Sequence, residues 1–178
     1  MREFYWGAEE EQIELPIGNR ERKVKAPYEN SGDNDHNLVE SANNRIYFYS
    51  MVSRPKILKV NKAIQNLNNH LSCRSVMYGD STTPIRLHIN SYGGSVFAGL
   101  AAVDYIKSSQ APVETIVEGC AASAATLMSV VGTHRSMRKN ACMLIHQLSG
   151  HMWGKFEEMK DDMKNSEMLM EKIKGIYR

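Results

Sequence analysis

A chain of 178 residues with 42% hydrophobic and 24% charged content fits one compact globular domain with a sizeable core. A formal net charge of +2 argues against a dominant polyanion, so no nucleic-acid partner is expected. Three cysteines, Cys73, Cys120 and Cys142, are odd in number and lack CxxC or Cys/His ligand spacing, which argues against a disulfide framework and a zinc site and reads them as small core residues; no metal or cofactor is expected.

The first residues, Met1 to Glu11, show no basic segment followed by an apolar run, and the longest uncharged stretch, Gly119 to Thr133, falls short of the roughly 20 apolar residues that cross a bilayer. The expectation is a cytoplasmic protein without membrane contact. Residues 1–45 are polar and broken by Pro16, Gly18, Pro27 and Gly32, and read as an arm whose basic strip Arg20 to Lys25 is a solvated surface. Ile46 and Phe48 then alternate with Tyr47 and Tyr49 as a short strand. Ile57, Val60, Ile64, Leu67 and Leu71 recur at steps of three and four, which predicts a helix from near Pro55, followed by a loop over Cys73 to Thr83.

Ile85, Leu87 and Ile89 alternate with Arg86 and His88 as a second strand, and Gly93-Gly94 turns the chain into a helix over Ser95 to Ser109. Val113 to Val117 is a third strand, Gly119 a turn, Ser123 to Val131 a helix, and Cys142 to Ile145 an apolar strand ending at His146. Phe156, Met159, Met163, Met170 and Ile173 mark one face of a long final helix, whose thioethers suit core or subunit packing. The order of strand and helix predicts an α/β fold.

Acyl transfer by a serine needs a reachable hydroxyl, an imidazole to accept its proton, and N–H donors where the carbonyl oxygen becomes negative. Ser123 lies where a strand turns into a helix among small residues, Gly119-Cys120-Ala121-Ala122-Ser123-Ala124-Ala125, although a serine there is ordinarily an N-cap. His146 stands where the strand Met143-Leu144-Ile145 ends, a place a structural histidine also occupies. In Asn90-Ser91-Tyr92-Gly93-Gly94-Ser95-Val96 two glycines let the backbone approach a ligand and aim an N–H at it. Neither a GxGxxG nor a GxxxxGK[ST] pattern is present, nor the GxSxG of a hydrolase elbow.

Taken together, Asn90-Ser91-x-Gly93-Gly94-Ser95-Val96, Gly119-x-Ala121-Ala122-Ser123 and Met143-x-Ile145-His146-Gln147, spaced 29 residues from Gly94 to Ser123 and 23 from Ser123 to His146, resemble the proteolytic subunit of the Clp protease, peptidase family S14. The resemblance covers roughly Arg45 to Arg178. It implies a crotonase-like fold of superhelical strand-helix turns, a head over 46–150 and a protruding handle helix over 151–178. It also implies Ser123 as nucleophile, His146 as general base, and an oxyanion hole from the N–H groups of Gly94 and Ala124. A homo-oligomer of heptameric rings, stacked in pairs and taking polypeptide from an AAA+ unfoldase, would follow, with a Clp paralogue as another possible ring partner. Other readings are a catalytically silent ring subunit and, in the wider crotonase superfamily, an acyl-CoA enzyme.

The resemblance places the third triad residue after the handle helix, beyond Arg178. Glu157, Glu158, Asp161, Asp162, Glu167 and Glu171 all fall on that helix and are poorly placed to replace it. Where the family carries outward aromatics before its glycine pair, to dock an ATPase, this chain has Arg86 and His88, and Tyr92 stands at a common proline position.

Overall fold

A computed structural model describes residues 39–78, 83–150 and 152–178. Four parallel pairings build the sheet around β4 (Val113–Ala122). β2 (Arg45–Phe48) pairs β3 (Ile85–Ser91), and β3 pairs β4. The two ends of β4 then take different partners, β5 (His134–Met137) against Glu114 to Val117 and β6 (Cys142–Leu144) against Cys120 to Ala122. β1 (Val39–Ala42) adds an antiparallel edge to β2.

The inward residues of the alternating strands, Ile46, Phe48, Ile85, Leu87, Ile89, Val113 and Val117, are buried. They form one core with Ile57, Val60, Ile64 and Leu71 of α1 (Arg54–Tyr78) and Ala98, Ala102 and Ile106 of α2 (Val96–Lys107). The small α2 residues let that helix approach closely. Gly99 has backbone and side-chain atoms of Ala124 within 3.5 Å of where its Cβ would stand. α3 (Ala124–Val130) is almost wholly buried, and α4 (Phe156–Tyr177) lays Leu169 and Ile173 against Val96, Val103 and Leu127. Each such fully buried aliphatic side chain contributes about 1.5–3 kcal/mol relative to exposure.

The structure departs from the sequence reading in several places. α1 continues through Cys73 to Tyr78 where a loop was expected; residues 79–82 of that loop lie outside the described residues. β4 runs five residues past Val117, and β5, polar and fully exposed, has no alternation to betray it. β1 falls inside the expected arm, whose residues 1–38, with the basic strip, lie outside the described residues. The cysteines are not core residues: Cys73 and Cys142 are exposed and Cys120 is partly so. β6 is exposed along its length because β4 is its only strand partner among the described residues.

The opposite face of the sheet is polar and centred on Glu118. Its Oε2 accepts from the Tyr49 hydroxyl at 2.6 Å, and its Oε1 lies 2.9 Å from His88 Nδ1 and 3.1 Å from both Nε and Nη2 of Arg138. Burial pushes the Glu118 carboxyl up, but the bonds from Tyr49, His88 and Arg138 outweigh it and hold the group below its ordinary value. Tyr49, donating to that carboxylate, is pushed up to about 12. His88 is 3% exposed and stacks on Tyr47 with ring centroids 4.7 Å apart.

Glu118→Ala should therefore strand a buried imidazole nitrogen and lower unfolding stability by about 1–3 kcal/mol in urea titration. The folded-state carboxyl is depressed, so its contribution is present at neutral pH and is lost as pH falls through that depressed value. Glu118→Gln should accordingly flatten the acid limb of the stability curve, and an unchanged limb would show that the network carries no linkage.

Candidate active site

Ser123 has φ 55° and ψ −129°, a region that residues with a Cβ rarely adopt. An N-cap serine has extended backbone and accepts a bond from the following turn, whereas Ser123 makes no side-chain cap bond. The junction is instead a sharp strand-to-helix elbow, and holding a non-glycine residue there costs about 1–3 kcal/mol. Several contacts fix it. The Ser123 N–H donates to the Leu144 carbonyl at 2.9 Å, and its own carbonyl accepts from the Thr126 N–H at 3.0 Å and the Thr126 hydroxyl at 2.5 Å. Thr126 in turn is bonded to the Tyr177 hydroxyl, near the end of α4. The Thr126 hydroxyl gives its proton to the Ser123 carbonyl, so the Tyr177 hydroxyl is the donor between the two, and burial pushes the Tyr177 phenol up.

Upstream, β4 reaches Ser123 through an irregularity. Val117 faces Ile89, yet Ala121 faces Ser91, so β4 fits extra residues into this step. Gly119 makes the bend at φ 74°, where a Cβ would stand 2.9 Å from Asn90 Oδ1, and that oxygen accepts from the Cys120 N–H at 3.2 Å. The bend ends pairing with β5 and opens the last residues of β4 to β6. Because β6 is parallel to them, the chain leaving Leu144 continues alongside Ser123, and His146 follows two residues later.

His146 is exposed, and its Nδ1 lies 2.8 Å from the Gln147 carbonyl oxygen. A carbonyl can only accept, so the proton of the neutral ring sits on Nδ1 and Nε2 carries the lone pair. The Ser123 hydroxyl is buried with no hydrogen-bond partner among the described residues, so the serine–histidine bond is not made in this form.

The glycine pair lies against the elbow. A Cβ on Gly93 would stand 2.6 Å from Ser123 Cβ and 3.1 Å from the Ala124 nitrogen, and Gly93 and Gly94 have φ of 100° and 140°. Val52 donates to the Gly93 carbonyl at 2.7 Å and accepts from the Ser95 N–H at 2.8 Å, a parallel bridge that passes over the Gly94 amide. The Ala124 N–H opens α3, where an amide has no acceptor within its own helix. The Gly93 backbone and the first amide of α3 thus lie beside the serine.

The family model described as Clp protease matches residues 40–178. The chain belongs to the Clp protease family. It is similar in structure to a point mutant of ClpP1 from Listeria monocytogenes, at 24% identity and a TM-score of 0.63, over 75% of this chain and 70% of that one. The fold is therefore the crotonase-like α/β fold of ClpP. Among the described residues no helix is long and apolar enough to cross a membrane.

The sequence reading named Asn90 and Leu144 in its motifs but not their part at the elbow, and it missed Val52, Thr126 and Tyr177 there. Three of them act at this elbow partly or wholly through backbone atoms, which carry no side-chain signal, and the tyrosine is distant in sequence. Because strain is stored at position 123, Ser123→Gly should raise unfolding stability by about 1–2 kcal/mol, read as a higher melting temperature. A lower melting temperature would show that the backbone there is relaxed.

Proposed function

We propose that this chain is a serine endopeptidase subunit of a compartment-forming protease that cleaves unfolded polypeptide. Ser123 is the nucleophile, His146 the general base, and the Gly94 and Ala124 amides form the oxyanion hole. The observation that carries the proposal is the strained elbow at Ser123, hydrogen-bonded through its own amide to the strand that leads into His146.

In this mechanism Nε2 of His146 takes the hydroxyl proton as Ser123 Oγ bonds to the substrate carbonyl carbon. The oxygen of the tetrahedral intermediate receives the two amides. Collapse breaks the peptide C–N bond, and the imidazolium returns its proton to the leaving amine. Water then attacks the acyl-enzyme through the same base. The Gln147 carbonyl already selects the tautomer that presents a basic Nε2. Chemistry requires the imidazole to swing onto the hydroxyl, a rotation that an exposed side chain can make.

A second reading, a catalytically silent ring subunit, is favoured by the unpartnered Ser123 hydroxyl. Fluorophosphonate labelling separates the two. The peptidase reading expects labelling of the parent at Ser123, none in Ser123→Ala, and hydrolysis of a fluorogenic peptide that disappears with the same change. Absent labelling of a folded, assembled parent supports the silent subunit.

The same reading assigns residues 1–45 to an arm near the axial entrance, 46–150 to the head and 151–178 to the handle, and expects heptameric rings. On α4 the stripe Phe156, Met159 and Met163 is bare, with Phe156 66% and Met163 52% exposed, whereas Met170, further along, accepts from the Leu148 N–H at 3.3 Å. The bare end suits contact with another copy. Met159→Glu with Met163→Glu should shift the sedimenting particle to smaller species without unfolding it, and a parent that sediments as a monomer at micromolar concentration would refute the assembly.

Docking of an unfoldase is expected to be polar. On the face away from the core Arg86 is tied to Glu114 at 3.2 Å, and His88, expected to point outward, is buried against Glu118, in place of an apolar socket.

A further inference from the structure

Cys120 and Cys142 are opposite one another in the parallel ladder of β4 and β6. Paired residues of neighbouring strands project to the same face, and each thiol is close enough for the Cys142 charge to act on Cys120. Parallel strands lie about 4.8 Å apart, inside the Cα separation of about 4.4–6.8 Å that a disulfide spans. The positions flank the chemistry: Cys120 is three residues before Ser123, and Cys142 four before His146.

We propose that Cys120 and Cys142 are a redox-sensitive pair whose disulfide ties the strand leading to His146 onto the strand leading to Ser123. The oxidant is a low-molecular-weight disulfide such as oxidised glutathione. The exposed Cys142 thiolate attacks one of its sulfurs, the S–S bond breaks, and one glutathione leaves as thiolate. The Cys120 thiolate then attacks the Cys142 sulfur of the mixed disulfide and expels the second. The two cysteine protons pass through solvent to the departing thiolates, so two cysteines are oxidised and one glutathione disulfide is reduced.

Cys120 is the better anchored partner, its N–H bonded to Asn90, and burial pushes its thiol up, which leaves the first attack on the oxidant to the exposed Cys142. Cys142 sits on a three-residue strand exposed throughout, so closure draws β6 toward β4. That movement acts on the Leu144 carbonyl, the acceptor for the Ser123 amide, and then on His146. Only the consequence for catalysis rests on the peptidase reading. The bond and its grip on the elbow do not.

The test treats the purified full chain with oxidised glutathione, alkylates remaining thiols and maps the peptides by mass spectrometry. The expected product is an intramolecular link between the Cys120 and Cys142 peptides, reversed by dithiothreitol, formed equally in Cys73→Ser and absent in Cys142→Ser. Alkylation at both positions, arrest as glutathione adducts, or links made through Cys73 or between chains would overturn it. Hydrogen exchange of the Ser123 amide gives a second readout, because a clip across β4 and β6 suppresses local opening. Exchange should slow by about tenfold or more on oxidation, and an unchanged rate in the linked chain would overturn the claim that the bond acts on the elbow.

Discussion

The site depends on a change of partner along β4. Its first half pairs β5, its last three residues pair β6, and the bend at Gly119 between them turns the strand out of register with β3. A side chain at position 119 would meet Asn90, and without the carboxamide the Cys120 amide would lose its acceptor. Straightening this step would leave β4 in register with β5 and move Ser123 away from Leu144. The Ser123 elbow, the strand that leads to His146 and the place of the glycine pair are consequences of one interrupted ladder.

The two faces of the sheet are held by different forces. Towards α1 and α2 the residues are apolar, and hydrophobic burial sets the register, since a slip of one residue would turn that whole set to solvent. Away from them, Glu118 ties together side chains from β3, from the segment after β2 and from the segment after β5. Glu118 immediately precedes Gly119. The network therefore pins the strand where its pairing must break, and what would be a weak point in the ladder is braced from outside.

Alternation and helical period made β2, β3, the start of β4 and the buried stripe of α1 legible, because there one face is aliphatic and the other is not. The same criterion failed at β5, where His134, Arg135, Ser136 and Met137 are all exposed, and misjudged β6, whose apolar residues belong to an exposed strand. At the site, residue types and spacing singled out Ser123, His146 and the glycines, but not the positive φ at Ser123, which depends on tertiary contacts acting against local preference. Nor could spacing show which nitrogen of His146 carries its proton. That is decided by a neighbouring carbonyl.

The strained elbow is secured from both ends of the chain's chemistry, by β6 through Leu144 and by α4 through Tyr177 and Thr126. Among the described residues α4 meets the head through Leu169, Met170, Ile173 and Tyr177, while its first turns carry exposed apolar side chains. The same helix thus has one segment that supports the Ser123 carbonyl and another that suits contact with a neighbouring copy. A displacement of the end of α4 is felt at the Ser123 carbonyl through the Tyr177 and Thr126 hydroxyls.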